Sequence, residues 1–126
     1  MTNQPTCEER IREHYDSRMM DLRELWAAYQ SGEEDVPDVG SIYGYGLAFD
    51  YVEPDTFENQ PFGYWRYQLS WGGPSDEFRL HGGGRIEYRF HDWWDGAGMD
   101  LEGDDLQLLT EIFLWFLDCH TDRHGF

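Results

Sequence analysis

The stretch Tyr64–Trp71 alternates with a period of two. Trp65, Tyr67, Leu69 and Trp71 fall on one side of an extended chain, and Tyr64, Arg66, Gln68 and Ser70 on the other. Successive side chains of an extended chain point to opposite faces, so this pattern predicts a strand with one buried face. The stretch has no proline and is closed by Gly72-Gly73-Pro74, which predicts a central strand followed by a turn.

A helical period precedes it. Thr6 with Glu9 forms a capping-box pattern, and Ile11, Tyr15, Met19, Leu22, Leu25, Trp26 and Tyr29 recur at three- and four-residue steps until Ser31-Gly32. Glu8 and Arg12 are spaced as an i,i+4 pair on this helix. Residues 32–40 read as an acidic loop. A first strand is expected over Ser41–Val52, where Tyr43, Tyr45, Leu47, Phe49 and Tyr51 alternate with small residues, Gly44 and Gly46 among them. Residues 53–63 form a long connection with two prolines. After Tyr64–Trp71 a short strand is expected at Glu77–His81, a turn at Gly82-Gly83-Gly84, and a strand at Arg85–Trp94. Residues 95–105 read as a second acidic loop. A second helix is expected from Asp104, capped with Gln107, to Cys119, with Leu106, Leu109, Ile112, Phe113, Phe116 and Leu117 on a wide apolar face. Leu108, Leu114 and Trp115 widen that face further, and the tail from Thr121 reads as loose. The order α-β-β-β-β-α predicts an α+β fold in one domain, residues 1–126. It is a four-stranded antiparallel meander with the N-terminal and C-terminal helices packed on one face.

Composition supports a folded domain and adds one strong signal. Aromatic residues are 17% of the 126, enough for a sizeable core. The formal net charge is −17, from 26 acids against 9 bases, and every base is arginine. Such a field disfavours direct binding to nucleic acid or to anionic membranes, and it attracts basic surfaces. Cys7 and Cys119 are too few for a disulfide framework and read as free thiols of a reducing compartment. The start Met-Thr-Asn-Gln-Pro has neither the basic nor the apolar part of a signal peptide, and no apolar run is long enough to span a membrane. The expected location is the cytoplasm.

Candidate chemistry is sparse. Cys119, His120 and His124 are metal-type ligands within six residues, with Cys7, His14 or His91 as a fourth, but the spacing matches no known zinc motif. His91-Asp92 could pair an imidazole with a carboxylate, yet neighbours on a strand point apart. Gly82-Gly83-Gly84-Arg85 resembles a phosphate loop in composition only, since it lies between two strands. An aromatic stacking platform for single-stranded nucleic acid would need a basic groove, and residues 41–80 hold six acids and two arginines. No catalytic residue, metal ligand or cofactor is assigned.

The acids themselves remain. Residues 32–40 sum to −4, and residues 90–105 hold six acids and no base. Carboxylates two apart on a strand, or four apart on a helix, lie about 6 Å apart, a pitch close to that of successive phosphates. Solubility is the other reading of such a charge. The candidate partner-binding residues are Glu33, Glu34, Asp35, Asp38, Asp92, Asp95, Asp100, Glu102, Asp104 and Asp105.

Three tracts carry a likeness: Phe57-Glu-Asn-Gln, Gly63-Tyr-Trp-Arg-Tyr-Gln-Leu-Ser-Trp-Gly-Gly-Pro-Ser-Asp-Glu-Phe-Arg79, and Ile86-Glu-Tyr-Arg-Phe-His-Asp-Trp-Trp-Asp-Gly-Ala97. In these the chain resembles small acidic proteins of bacterial plasmids, integrative elements and phages. Proteins of that setting often resemble anti-CRISPR or anti-restriction inhibitors, some of them DNA mimics. The resemblance implies a bacterial host cytoplasm and a class of target, and it assigns no residue a role. The expectation is a non-enzymatic inhibitor, monomer or homodimer, that binds the basic nucleic-acid-handling surface of a CRISPR effector subunit or, second, a restriction enzyme. The alternatives are an adaptor or regulator of a mobile element without mimicry, and a small His/Cys metal protein or enzyme.

Overall fold

The computed structural model describes residues 6–33, 35–92 and 95–123, the last four of these through their backbone. Helix α1 spans Cys7–Gln30. Five strands follow: β1 Ala48–Val52, β2 Tyr64–Ser70, β3 Pro74–Leu80, β4 Ile86–Asp92 and β5 Asp95–Asp100. Helix α2 spans Gly103–Arg123, and a short 3-10 turn at Gly82–Gly84 joins β3 to β4. The strands pair antiparallel in chain order, β1-β2-β3-β4-β5. No described helix is long and apolar enough to cross a membrane.

The α+β class, the antiparallel meander and the two terminal helices follow the sequence pattern. The strand count does not: the sheet has five strands, and the expected four-stranded arrangement is corrected here. Residues 95–100, Asp-Gly-Ala-Gly-Met-Asp, offer only Ala97 and Met99 as a period-2 signal. Their backbone nonetheless pairs fully with β4, Ala97 opposite Phe90 and Met99 opposite Tyr88. Backbone hydrogen bonds make this strand, and they leave little trace in residue type.

The bounds of three further elements move. β1 begins at Ala48, because residues 41–47 turn instead of extending. Gly46 lies so close to Tyr67 that a Cβ there would fall 2.3 Å from a ring carbon. β3 begins at Pro74, earlier than Glu77. Helix α2 begins at Gly103, so Asp104 stands in its first turn instead of capping it, and the helix runs on to Arg123. Thr6 caps α1 as expected, its Oγ1 accepting from the Glu9 N–H at 3.2 Å. Arg12 pairs forward with Asp16 at 3.2 Å rather than back with Glu8.

One residue of the central strand also departs from its pattern. Gln68 pairs with Glu77 but Ser70 pairs with Asp76, so Leu69 is an extra residue, a β-bulge. A bulge shifts the alternation by one. Trp65, Tyr67 and Leu69 therefore point to the helices, Ser70 follows them inward, and Trp71 leaves the strand 79% exposed.

The core lies between the sheet and both helices. Phe49, Tyr67, Phe78, Tyr88 and Met99 stand opposite one another across the five strands and so share a face. Against this row α1 buries Ile11, Tyr15, Met19, Leu22 and Leu25, and α2 buries Leu109, Ile112 and Phe113. Tyr15 meets the edge of Tyr88, and Phe113 meets Phe49 and Tyr67, so both helices cover that one face. Each such fully buried side chain contributes roughly 1.5–3 kcal/mol.

A carboxylate sits within this apolar layer. Asp76 of β3 is 3% exposed. Arg18 of α1 grips it with Nε at 2.7 Å and Nη2 at 3.0 Å, Tyr88 donates to it at 2.6 Å, and the Ser70 hydroxyl donates as well. Arg18 also donates to the Tyr45 hydroxyl at 3.1 Å, which in turn donates to Asp21 at 2.6 Å. Burial alone would raise the Asp76 carboxyl, but the bonds from Arg18, Ser70 and Tyr88 outweigh it and hold it below the ordinary value of 3.8. Burial and the bond to Asp21 push the Tyr45 hydroxyl up to about 12.

Asp76→Asn leaves Arg18 half-buried without its counter-charge, and urea unfolding should show a loss of roughly 3 kcal/mol. Because the folded pKa is lowered, the stabilisation from ionised Asp76 is complete above the unfolded value and disappears as pH falls through the folded one. The wild-type chain should thus lose stability below about pH 4, and the part of that loss due to Asp76 should be missing in Asp76→Asn.

Candidate partner-binding surface

The expected binding acids do not form one patch. Asp95 lies at the N-terminus of α1, where its Oδ2 accepts from the Cys7 N–H at 2.7 Å. That bond, with a smaller upward effect of desolvation, holds the Asp95 carboxyl below its ordinary value. Glu33, Asp35 and Asp38 follow the other end of α1 and are exposed. A helix of 24 residues is about 36 Å long. Asp95 is therefore separated from Glu33, Asp35 and Asp38 by about the length of α1, whereas Asp104 and Asp105 stand farther along that helix, beside Arg23. Glu34 lies outside the described residues.

Several acids of the 92–105 tract have structural partners. Asp92 accepts from Arg10 at 2.5 Å. Asp100 pairs with Arg85 at 3.1 Å. Asp105 accepts from the Tyr15 hydroxyl at 2.5 Å and pairs with Arg23. With Asp95, four of the six acids in that tract hold elements together. Glu102 and Asp104 are exposed and make no ion pair among the described residues. Asp104 lines an open groove between the helices with Glu111, Arg23 and Trp26.

The arginines explain the distribution. Arg10, Arg12, Arg18, Arg23, Arg66, Arg79, Arg85 and Arg89 each lie within ion-pair distance of a carboxylate. Only the side chain of Arg123 is not described. The cations are thus consumed internally, and the net charge resides on carboxylates that face solvent. These are Glu8, Glu9, Glu13 and Glu24 on α1, Glu33, Asp35 and Asp38 after it, Glu53, Asp55 and Glu58 before β2, and Glu102, Asp104, Glu111 and Asp118 around α2.

The sheet face away from the helices holds a network that sequence reading missed. Asp50, Arg66, Arg79, Glu87 and Asp100 align across the strands, with Gln68, Glu77 and Arg89 in the next row. Arg66 grips Asp50 at 2.7 Å, Arg79 grips Glu77 at 2.7 Å, and Glu87 meets His81 at 3.0 Å and Arg89 at 3.3 Å. Burial raises the Glu87 carboxyl, but His81 and Arg89 together bring it below the ordinary value. The available signal was the alternation of charged residues in β3 and β4, which marks the solvated side of a sheet.

The other candidates separate. His91 faces this open side, where burial and then the Arg89 and Arg79 charges lower its pKa and favour the neutral imidazole. Asp92 turns the other way, to Arg10. His14 stacks on Phe90 with ring centroids 4.3 Å apart. Cys7 is buried and Cys119 exposed, both free. The side chains of His120 and His124 lie outside the described residues. Among the described residues no three of His, Cys, Asp and Glu converge as a metal site requires. Gly82–Gly84 stays between two strands and feeds no helix.

No protein-family model, curated protein or solved structure matches the chain.

The two groups of acids should respond differently to charge reversal. Asp35→Lys and Glu102→Lys should change stability by less than about 0.5 kcal/mol. Asp105→Lys removes the acceptor of Tyr15 and the partner of Arg23, and should cost roughly 2 kcal/mol. Thermal or urea unfolding of the three variants checks this.

Proposed function

We propose that the protein is a non-enzymatic inhibitor that binds the basic nucleic-acid-handling surface of a host defence complex, a CRISPR effector before a restriction enzyme. The observation behind this is the pairing of all eight described arginines, which leaves an exposed surface of free carboxylates and no free cation among the described side chains. Lys and Arg that normally meet phosphate can meet these carboxylates instead. Acids lie along α1 and at its two ends, over about 36 Å. One turn of duplex spans about 34 Å, so a groove shaped for DNA could meet these charges along its length. The setting comes from the sequence resemblance.

The partner acids on this reading are the free ones, Glu33, Asp35, Asp38, Glu102 and Asp104. Asp92, Asp95, Asp100 and Asp105 add field while they hold the fold. An adaptor without mimicry would be indifferent to charge reversal at the free acids.

Displacement of a fluorescent target duplex from purified CRISPR effector complexes and restriction enzymes tests the proposal. The wild-type chain should displace duplex from at least one of them, with affinity falling about tenfold or more between 50 and 200 mM salt. Glu33→Lys with Asp35→Lys and Glu102→Lys should weaken displacement without loss of fold. No displacement, or displacement unaffected by salt and by these substitutions, would overturn it.

A further inference from the structure

The connection between β1 and β2 exposes its aromatic side chains on a framework that is already ordered. Phe57 is 51% exposed and Phe62 80%. Neither joins the core cluster. Gln60, half-buried at the centre of the loop, holds the backbone on both sides of them. Its Nε2 donates to the carbonyls of Glu53 at 2.9 Å and Phe62 at 2.8 Å, and its Oε1 accepts from the Phe57 N–H at 3.0 Å. The Asp55 N–H donates to the Gln60 carbonyl at 2.7 Å, and the Thr56 hydroxyl to the Glu53 carbonyl at 2.7 Å. Asp55 and Asn59 adopt the left-handed conformation, φ 63° and 57°, which these short polar residues tolerate best after glycine. Pro54 and Pro61 remove freedom from the unfolded loop. At the base of the loop, Gly63 lies beneath the Tyr51 hydroxyl, and a Cβ there would fall 2.0 Å from that oxygen. Tyr51 is itself 42% exposed.

A flexible loop would fold its phenylalanines back onto the protein. This loop is closed on itself by six side-chain and backbone hydrogen bonds and holds them in water. Such compact, self-bonded loops are frequently functional. Burying an exposed phenylalanine in a partner's pocket yields roughly 1.5–3 kcal/mol, and a preformed loop avoids most of the ordering cost. The surroundings select the partner. Glu53, Asp55 and Glu58 are exposed near the phenylalanines in the loop and make no ion pair among the described residues. An anionic membrane would repel them, and a second copy of the loop would bring three more like charges.

We infer that the β1–β2 loop is a preformed anchor that seats Phe57 and Phe62 in an apolar pocket rimmed by Lys or Arg on a protein partner. This rests on the basic-partner reading above and adds the apolar contact that would give it specificity. Charge governs encounter and salt dependence; the phenylalanines slow dissociation.

The test is a random peptide library displayed on phage, selected on the immobilised wild-type chain. Enriched peptides should combine Lys or Arg with an aromatic or branched apolar residue. Synthetic copies, measured by fluorescence anisotropy, should bind the Phe57→Ser/Phe62→Ser variant at least tenfold more weakly. Both side chains are solvent-facing, so this variant should unfold at the wild-type temperature, with Phe62→Ser alone as the milder form. Gln60→Ala keeps both phenylalanines and frees the loop, and it should weaken binding several-fold. Basic peptides that bind the double variant as tightly as wild type would overturn the anchor and leave the charge reading intact. A selection that enriches no basic peptide would overturn both.

Discussion

The ion pair between Arg18 and Asp76 is the constraint on which the rest of the structure depends. It places a charge inside an aromatic layer, where an unpaired carboxylate would be strongly destabilising. Four chain segments must therefore arrive together. α1 brings Arg18, β2 brings Ser70, β3 the carboxylate and β4 Tyr88. Through Tyr45 the same network reaches the loop before β1 and returns to α1 at Asp21. The bulge at Leu69 belongs to this arrangement. Without the extra residue Ser70 would face the solvated side, and Trp71 would face the helices.

The same economy governs the rest of the charge. With nine arginines for 26 acids, each described arginine except Arg12, which pairs with Asp16 on α1 itself, joins two elements or steadies one sheet face. Arg10 and Arg23 tie α1 to Asp92 and Asp105, while Arg66, Arg79 and Arg89 bridge the open side of the sheet. The negative field of this protein is thus what remains after the fold has taken its counter-charges. The charge-based proposal draws on this: neutralising the exposed acids that hold no structural donor takes little from the fold, and a basic partner would meet no free cation among the described side chains.

Aromatic residues divide in a parallel way. Phe49, Tyr67, Phe78 and Tyr88 form the row that both helices cover. Phe57 and Phe62 stand outside on a loop that is hydrogen-bonded within itself. On the proposed reading, these two side chains are the contact that would tell one basic surface from another.

Much of this was legible in the sequence. The heptad-like stripe of α1, its Thr6 cap and the alternation of Trp65, Tyr67 and Leu69 name elements and faces, because local periodicity reports which side is buried. The total charge also follows from composition alone. Tertiary structure decided the remainder. β5 exists because its backbone pairs with β4, although its side chains are two glycines, two acids and only two apolar residues. Trp71 is outside because one bulged residue reverses the alternation. Asp76 looks like one more turn acid until three strands and a helix enclose it. Of the six acids in residues 92–105, four are structural and two make no ion pair among the described residues. Spacing along the chain cannot separate them, since a carboxylate's role depends on which donor the folded chain brings within about 3 Å.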